Sequence, residues 1–219
     1  MLKNKDFLDK EKTVIMLPRI ISANETEKIV TRLKKLKDEG FKYGLVSNIS
    51  HFEFLKDFEL MTDIYLNITN SYSEKFLKDN KVFMIGASHE LNLKDIRNLC
   101  ADTPIFAMAY GYNEVMIMRN CIKKSVLNEC KKGPVELKDR KGEVFITDCR
   151  EDCRNIILNA HPVVMSDKIN DMERSGIDYI MLSFCYENAS GCQRVFDMYK
   201  SGRNDMEVFT RGHFYRGVL

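Results

Sequence analysis

A chain of 219 residues with 44% hydrophobic side chains can bury the core of one large domain or two small ones, which excludes a disordered class. Its 34 basic and 32 acidic residues nearly cancel, so net charge alone neither demands nor excludes a nucleic-acid partner. No apolar run approaches the ~20 residues of a membrane span, and Met1 to Lys12 lacks the apolar stretch of a signal peptide. A soluble cytoplasmic protein without membrane contact is expected.

In chain order, Thr13 to Leu17 is a β-rich run stopped by Pro18. From Glu25 to Glu39, apolar Ile29, Val30, Leu33 and Leu36 recur at helical spacing, and Gly40 supplies the C-terminal stop. A strand follows at 43–47 and a short helix at 52–60. The spacing then predicts a strand over 63–67, a helix over 73–79 capped by a serine, a strand over 81–85 and a helix over 92–100. A fifth strand covers 104–109. Strands separated by helices in this way need a parallel sheet. Several strands end in polar residues, notably Asn67 with Asn70 and Ser88-His89-Glu90, and these mark the rim where βα folds carry function. Taken singly, each serves equally well as a turn or cap.

The alternation breaks after Tyr110-Gly111. Lys131 to Pro134 reads as a turn, and Lys138-Asp-Arg-Lys-Gly142 as a hairpin turn with its outgoing strand at 143–147. Regular alternation resumes with a helix over 166–174, a Ser175-Gly176 stop, a sixth strand over 178–184 and a helix over 189–199. Three parts follow: βα repeats in 1–111, a Cys-rich insert in 112–162, and a last βα unit with a tail in 163–219. The class is α/β. Six parallel strands suit either an open doubly wound sheet or a barrel short of its eight.

Cysteine usage is uneven. Cys100 closes a helical stretch and reads as a buried thiol, while the other six of the seven lie between Cys121 and Cys192. The sequence has no paired CxxC knuckles, yet thiolates from separate elements can converge on zinc or an iron–sulfur cluster. Buried, unligated thiols are the alternative, and spacing leaves both open. No HExxH or GxSxG motif is present. A thiol protease using Cys149 or Cys153 with His161 or His213 can be drawn, but so many cysteines allow such a drawing in any chain. Arg119, Lys123, Lys124, Arg140 and Arg211 suit either phosphate contacts or an ordinary charged surface.

The order of motifs carries more. Leu17-Pro-Arg-Ile20, Asn67-Ile-Thr-Asn-Ser71 and Ser88-His-Glu-Leu-Asn-Leu93 precede the Cys-rich insert. Then come Leu137-Lys-Asp-Arg-Lys-Gly142, Asp148-Cys-Arg-Glu-Asp-Cys-Arg-Asn155 and Phe209-Thr-Arg-Gly-His-Phe-Tyr-Arg-Gly217. From about Val14 to Val218 this succession resembles the U-32 peptidase family, the collagenase-like proteases, in its long clostridial-type members. The resemblance implies an incomplete TIM-like (β/α) barrel of about six parallel strands, lacking its first two βα units, with a Cys-rich insert that carries a β-hairpin.

The resemblance also implies chemistry. Some relatives are named as peptidases; others hydroxylate tRNA or rRNA bases or support oxygen-independent ubiquinone hydroxylation, and members carry a [4Fe–4S] cluster on four cysteines. By position, Cys121 and Cys130 resemble the first pair of ligands, Cys153 or Cys149 the third, and Cys192 the fourth. Cys185 reads as packing. Apart from the resemblance, the positions of Asn67, His89, Glu90, Arg211 and His213 suit substrate contacts, with caps and turns, or for Arg211 pairing with acidic neighbours, as the alternative. Three functions are therefore expected: an iron–sulfur protein related to RNA-base hydroxylation, acting on RNA or a small molecule; a collagenase-like peptidase; or a non-catalytic binding or assembly subunit. In the last, a partner chain or a missing N-terminal segment would close the barrel. Zinc, or no metal at all, is the alternative to the cluster.

Overall fold

A computed structural model describes residues 7–99, 102–128, 133–149 and 154–218. The chain divides into two compact units: Met1–Ala107 with Asn170–Ile180 and Gly212–Leu219, and Met108–Ile169 with Met181–Arg211. They are called unit 1 and unit 2 below.

Unit 1 is the region of βα alternation. Its elements are β1 (Val14–Met16), α1 (Thr26–Asp38), β2 (Tyr43–Val46), α2 (His51–Phe54), β3 (Glu59–Thr62), α3 (Ser71–Asp79), β4 (Val82–Gly86), α4 (Leu93–Arg97) and the first half of β5 (Ile105–Gly111). Each successive strand pairs in parallel with the one before it, from β1 through β5. Local chemistry starts and stops the helices. The Ser22 N–H donates to the Glu25 carboxylate at 2.7 Å, fixing the turn into α1. Gly40, at φ +95°, ends that helix. Asn70, rather than the expected serine, caps α3 by accepting the Ser73 N–H at 3.0 Å, and Asn92 caps α4 by accepting the Asp95 N–H at 2.9 Å.

One face of this sheet packs under the helices. Ile15, Val46, Leu60, Val82 and Ile85 meet Leu33, Phe41, Leu55 and Leu77 in a single buried cluster. Strand alternation puts Val14, Met16, Tyr43, Leu45 and Met61 on the opposite face, where Met16 is 61% exposed. The Tyr43 and Phe83 rings lie 5.5 Å apart there. Two expectations need correction. The strand expected over 63–67 lies at Glu59–Thr62, and 64–66 is a 3-10 turn. Ile64 is fully buried and Leu66 packs on the core, so an apolar turn imitated a strand. For the same reason the helix expected over 52–60 shrinks to α2.

Unit 2 holds the second half of β5, β6 (Glu114–Met118), α5 (Ile122–Leu127), β7 (Gly133–Lys138), β8 (Val144–Cys149), β9 (Asn155–Leu158) and β10 (Val163–Val164). After them come α6 (Ile169–Arg174), which belongs to unit 1 apart from Ile169, β11 (Tyr179–Leu182), divided between Ile180 and Met181, and α7 (Ala189–Ser201) in unit 2. β10 runs antiparallel to β5, and β11 also pairs with β5. A separate antiparallel sheet has the order β6-β9-β8-β7. The hairpin turn expected at 138–142 is present between β7 and β8. Gly133 and Pro134, expected in a turn, instead open β7; Lys131 and Lys132 lie outside the described residues. β9 and β10 had no counterpart in the sequence pattern.

The mixed α/β class and the mostly parallel main sheet agree with the expectation, and both are consistent with an incomplete barrel. Among the described residues no helix is long and apolar enough to cross a membrane.

Candidate functional site

In unit 1 the chain leaves β1, β3 and β4 through Pro18-Arg19, Asp63 to Asn67 and Ser88 to Glu90. Asn67 sits in the left-handed region at φ 65°, ψ 46°, which asparagine tolerates better than other side chains with a Cβ. The Ser88 hydroxyl donates to Asn67 Oδ1 at 2.7 Å, and the same Ser88 oxygen accepts the Glu90 N–H at 3.3 Å. These bonds join the ends of β3 and β4. The Tyr65 ring carries the Arg19 guanidinium 4.0 Å from its centroid and packs 5.2 Å from the His89 ring.

Burial is the main reason that the His89 imidazole titrates below its ordinary range, and nearby His213 and Arg19 push it the same way. A neutral ring follows at pH 7, with the buried Nδ1 lacking a hydrogen-bond partner. His213 lies in the closing segment of the same unit. Its Nδ1 is 3.1 Å from the Gly217 carbonyl oxygen, and that segment is anchored where the Leu93 N–H donates to the Phe214 carbonyl. Asn67, His89, Glu90 and His213 therefore share one rim. The His89 ring stands beside a second histidine and the exposed Glu90 carboxylate, a set of groups that can bind a polar substrate, but its unpartnered Nδ1 is itself buried.

Arg211 is elsewhere, in unit 2. Its guanidinium grips the Asp167 carboxylate with two bonds of 2.6 and 2.9 Å and donates to the Val164 carbonyl at 2.8 Å. That hydrogen-bonded fork holds the Asp167 carboxyl below its usual range. Arg211 thus braces the short β10 strand.

The thiols are also in unit 2. Cys121 is 6% exposed at the start of α5, and Cys192 is half-buried in the first turn of α7 with its Sγ 3.9 Å from the Glu187 carbonyl oxygen. Cys185, expected to be packed at the strand end, is exposed in the bend three residues after β11, beyond the last residue the strand holds. None of the three is in a disulfide. Cys100, Cys130, Cys153 and the side chain of Cys149 lie outside the described residues. Among the described residues no three His, Cys, Asp or Glu side chains gather as a metal site. The donor chemistry of Cys121 and Cys192 fits a soft metal or an iron–sulfur cluster, and the other expected ligands are those outside the description.

Sequence reasoning missed several contributors. Tyr110 donates to Glu187 Oε1 at 2.7 Å, while Oε2 accepts the N–H groups of Cys185 and Tyr186 at 2.8 and 3.1 Å. One carboxylate therefore shapes the loop that leads to Cys192. The partners are 77 residues apart, so no local pattern announces them. Arg19 stands in Leu17-Pro-Arg-Ile20, a motif already singled out, whereas Tyr65 was hidden in the misread strand. Of the histidines drawn into a thiol protease, His161 Nε2 lies 3.1 Å from Glu143 and His213 is engaged by Gly217.

Comparison with curated proteins and with solved structures gave no match in either case. Comparison with family sequence patterns gave one whose description is Peptidase family U32, matching residues 5–211. With almost its whole length matched, this chain belongs to peptidase family U32.

Proposed function

We propose that the chain is an iron–sulfur protein acting in the modification of an RNA base, as RNA-hydroxylating relatives of the family do. The observation that carries this reading is the confinement of six cysteines to Cys121–Cys192, all within unit 2 and none of the described ones bridged. Cys121, Cys130, Cys192 and one of Cys149 and Cys153 would hold a [4Fe–4S] cluster. A bound cluster supplies one-electron transfer at a potential set by burial and by hydrogen bonds to sulfur.

The chain's own residues have separate tasks. Glu187 orients the loop before Cys192, and Tyr110 holds Glu187 in place. On the rim of unit 1, Asn67, His89, Glu90 and His213 contact the substrate. Arg119, Lys123, Lys124 and Arg140 meet phosphates. Anaerobic purification followed by iron and sulfide counts and a visible spectrum tests the reading. Brown protein whose iron content falls in Cys121→Ser and Cys192→Ser supports it. Colourless protein, or protein that holds zinc alone, overturns it.

A second reading has its own observation. The face of the unit 1 sheet turned away from the helices is apolar yet open, with Val14 and Phe83 each 36% exposed beside Met16. A groove of about 350 Å³ runs along β1 and α1, lined by Ile15, Leu17, Ile29, Leu33 and Leu36. The groove lies on the helix-covered side, whereas Val14, Met16 and Phe83, on the face turned away from the helices, stand where side chains fill the interior of a complete barrel. An assembly subunit whose barrel is finished by a partner would cover them. Size measurement on the purified chain decides: a stable monomer, unchanged by Met16→Glu, removes this reading.

A further inference from the structure

The β7–β8 hairpin outruns the sheet that supports it. All six residues of β7 pair with β8, from Gly133↔Cys149 to Lys138↔Val144. β9 pairs only with Thr147, Asp148 and Cys149 of β8. The outer half, Glu136 to Lys138 against Val144 to Ile146, is therefore a two-stranded arm about 10 Å long at ~3.4 Å per residue.

Hydrogen bonds within the turn tie the tip of the arm together, and the acidic groups of the turn are already engaged. Asp139 Oδ1 accepts the N–H groups of Lys141 and Glu143 at 2.8 and 2.9 Å, and the Asp139 N–H donates to the Glu143 carbonyl. Gly142, at φ +93°, closes the turn in a conformation that L side chains rarely adopt. The Glu143 carboxylate lies 3.1 Å from His161 Nε2. Lys138, Arg140 and Lys141 remain exposed, and no apolar residue stands between Lys138 and Glu143.

We propose that this arm contacts the phosphate backbone of the RNA substrate through Lys138, Arg140 and Lys141, an inference that rests on the RNA reading above. The chemistry favours RNA over a protein partner. A protein interface needs an apolar centre within its polar rim, and the tip has none. Phosphate recognition needs only cations held at fixed spacing, and a narrow two-stranded ribbon can follow a nucleic-acid groove or backbone. Glu136, exposed two residues back from Lys138, keeps the cationic surface at the tip rather than along the arm.

The test is binding of a fluorescent stem–loop RNA to the intact protein across a salt series. The wild type is compared with the triple variant Lys138→Gln, Arg140→Gln, Lys141→Gln. A control triple, Lys28→Gln, Arg32→Gln, Lys34→Gln on α1, removes the same charge elsewhere. Each phosphate contact contributes about 0.7 to 0.9 to the slope of log affinity against log salt, so the arm variant should lose about 2 to 3 units of slope. The α1 control should keep the slope. A wild type that binds with a steep slope and an arm variant that matches it overturn the arm while leaving the RNA reading in place. A wild type that does not bind RNA even at low salt overturns both. If polyglutamate competes as well as RNA at the arm, the surface belongs to an acidic protein partner and the assignment to RNA fails.

Discussion

In unit 1 the strands close on aliphatic side chains, and the tightest approach is between backbones: a Cβ on Gly86 would lie 2.7 Å from the Ile64 nitrogen and the Thr62 oxygen. In unit 2 the buried cluster around Tyr110, Val164, Val195 and Met198 is smaller, and tyrosine hydroxyls tie it together. Tyr110 reaches Glu187, and Tyr199 donates to the Ala109 carbonyl while accepting the Met165 N–H at 3.0 Å. Unit 2 has a close approach too, at Gly111, where a Cβ would lie 2.6 Å from the Ser183 carbonyl oxygen. Its polar braces therefore add to close packing, while unit 1 relies chiefly on its larger aliphatic core. Packing is damaged by added volume, polar bracing by the loss of one atom or one proton.

The largest effect should come from adding volume where unit 1 is tightest. Gly86→Val would drive a branched side chain into the backbone of Thr62, Asp63 and Ile64 rather than into a flexible side chain that could swing aside. Overpacking of this kind costs about 3 kcal/mol. Urea unfolding should show the loss, and hydrogen exchange should place it in peptides from β3 and β4. Unchanged protection there would mean that the close approach relaxes cheaply, and the contrast between the units would lose its first half.

Unit 2 should respond to single atoms. Tyr110→Phe keeps the ring and its packing at 5.6 Å from Phe184 but leaves Glu187 Oε1 without its donor, a loss of about 2 kcal/mol. Weakened protection should appear in peptides covering 183–188. Proton loss gives a sharper version. Burial and Glu187 raise the Tyr110 phenol above its ordinary value, and burial pushes Tyr199 up to about 12. The folded phenols thus hold their protons more tightly than those of an unfolded chain, which titrate near ~10. Their contribution is complete below that pH and is lost as pH rises from about 10 towards 12. Exchange in unit 2 should quicken over this window by an amount equivalent to about 1 to 2 kcal/mol. A Tyr110→Phe, Tyr199→Phe double variant that keeps the full alkaline loss would show that other groups cause it.

The same distinction explains what the sequence revealed. β1, β2, β4, β5, α1 and α7 follow from local periodicity and stop residues, since burial on one face leaves its imprint on neighbouring positions. β3 was displaced because Ile64 is buried in a turn, and β10 was missed because two residues carry no period. The rim residues Asn67, His89 and Glu90 were legible as polar endings of strands. Arg19 over Tyr65 and Tyr110 on Glu187 were not, since their contacts join remote positions. The thiols were legible as a composition bias between Cys121 and Cys192, and their spacing does not say which of them meet in space.

The smallest expected effect concerns Asn67, where backbone strain and a polar brace meet in one residue of unit 1. Its left-handed backbone disfavours alanine, and its Oδ1 is the acceptor for the Ser88 hydroxyl, itself buried. Asn67→Ala removes the acceptor and keeps the strain, so a loss of about 1 to 2 kcal/mol is expected. Asn67→Gly also removes the acceptor but relaxes the backbone, and the two effects offset to within about 0.5 kcal/mol. Thermal unfolding of the pair separates them. If glycine is as harmful as alanine, the Ser88 bond is what matters at this rim, and unit 1 leans on a polar brace here as it does where the Ile105 N–H donates to Asp178 at 2.8 Å. If both variants are neutral, neither the strained backbone nor the bond stabilises the fold, and the left-handed turn is then held by the burial of Ile64 and Ile68 on either side of it.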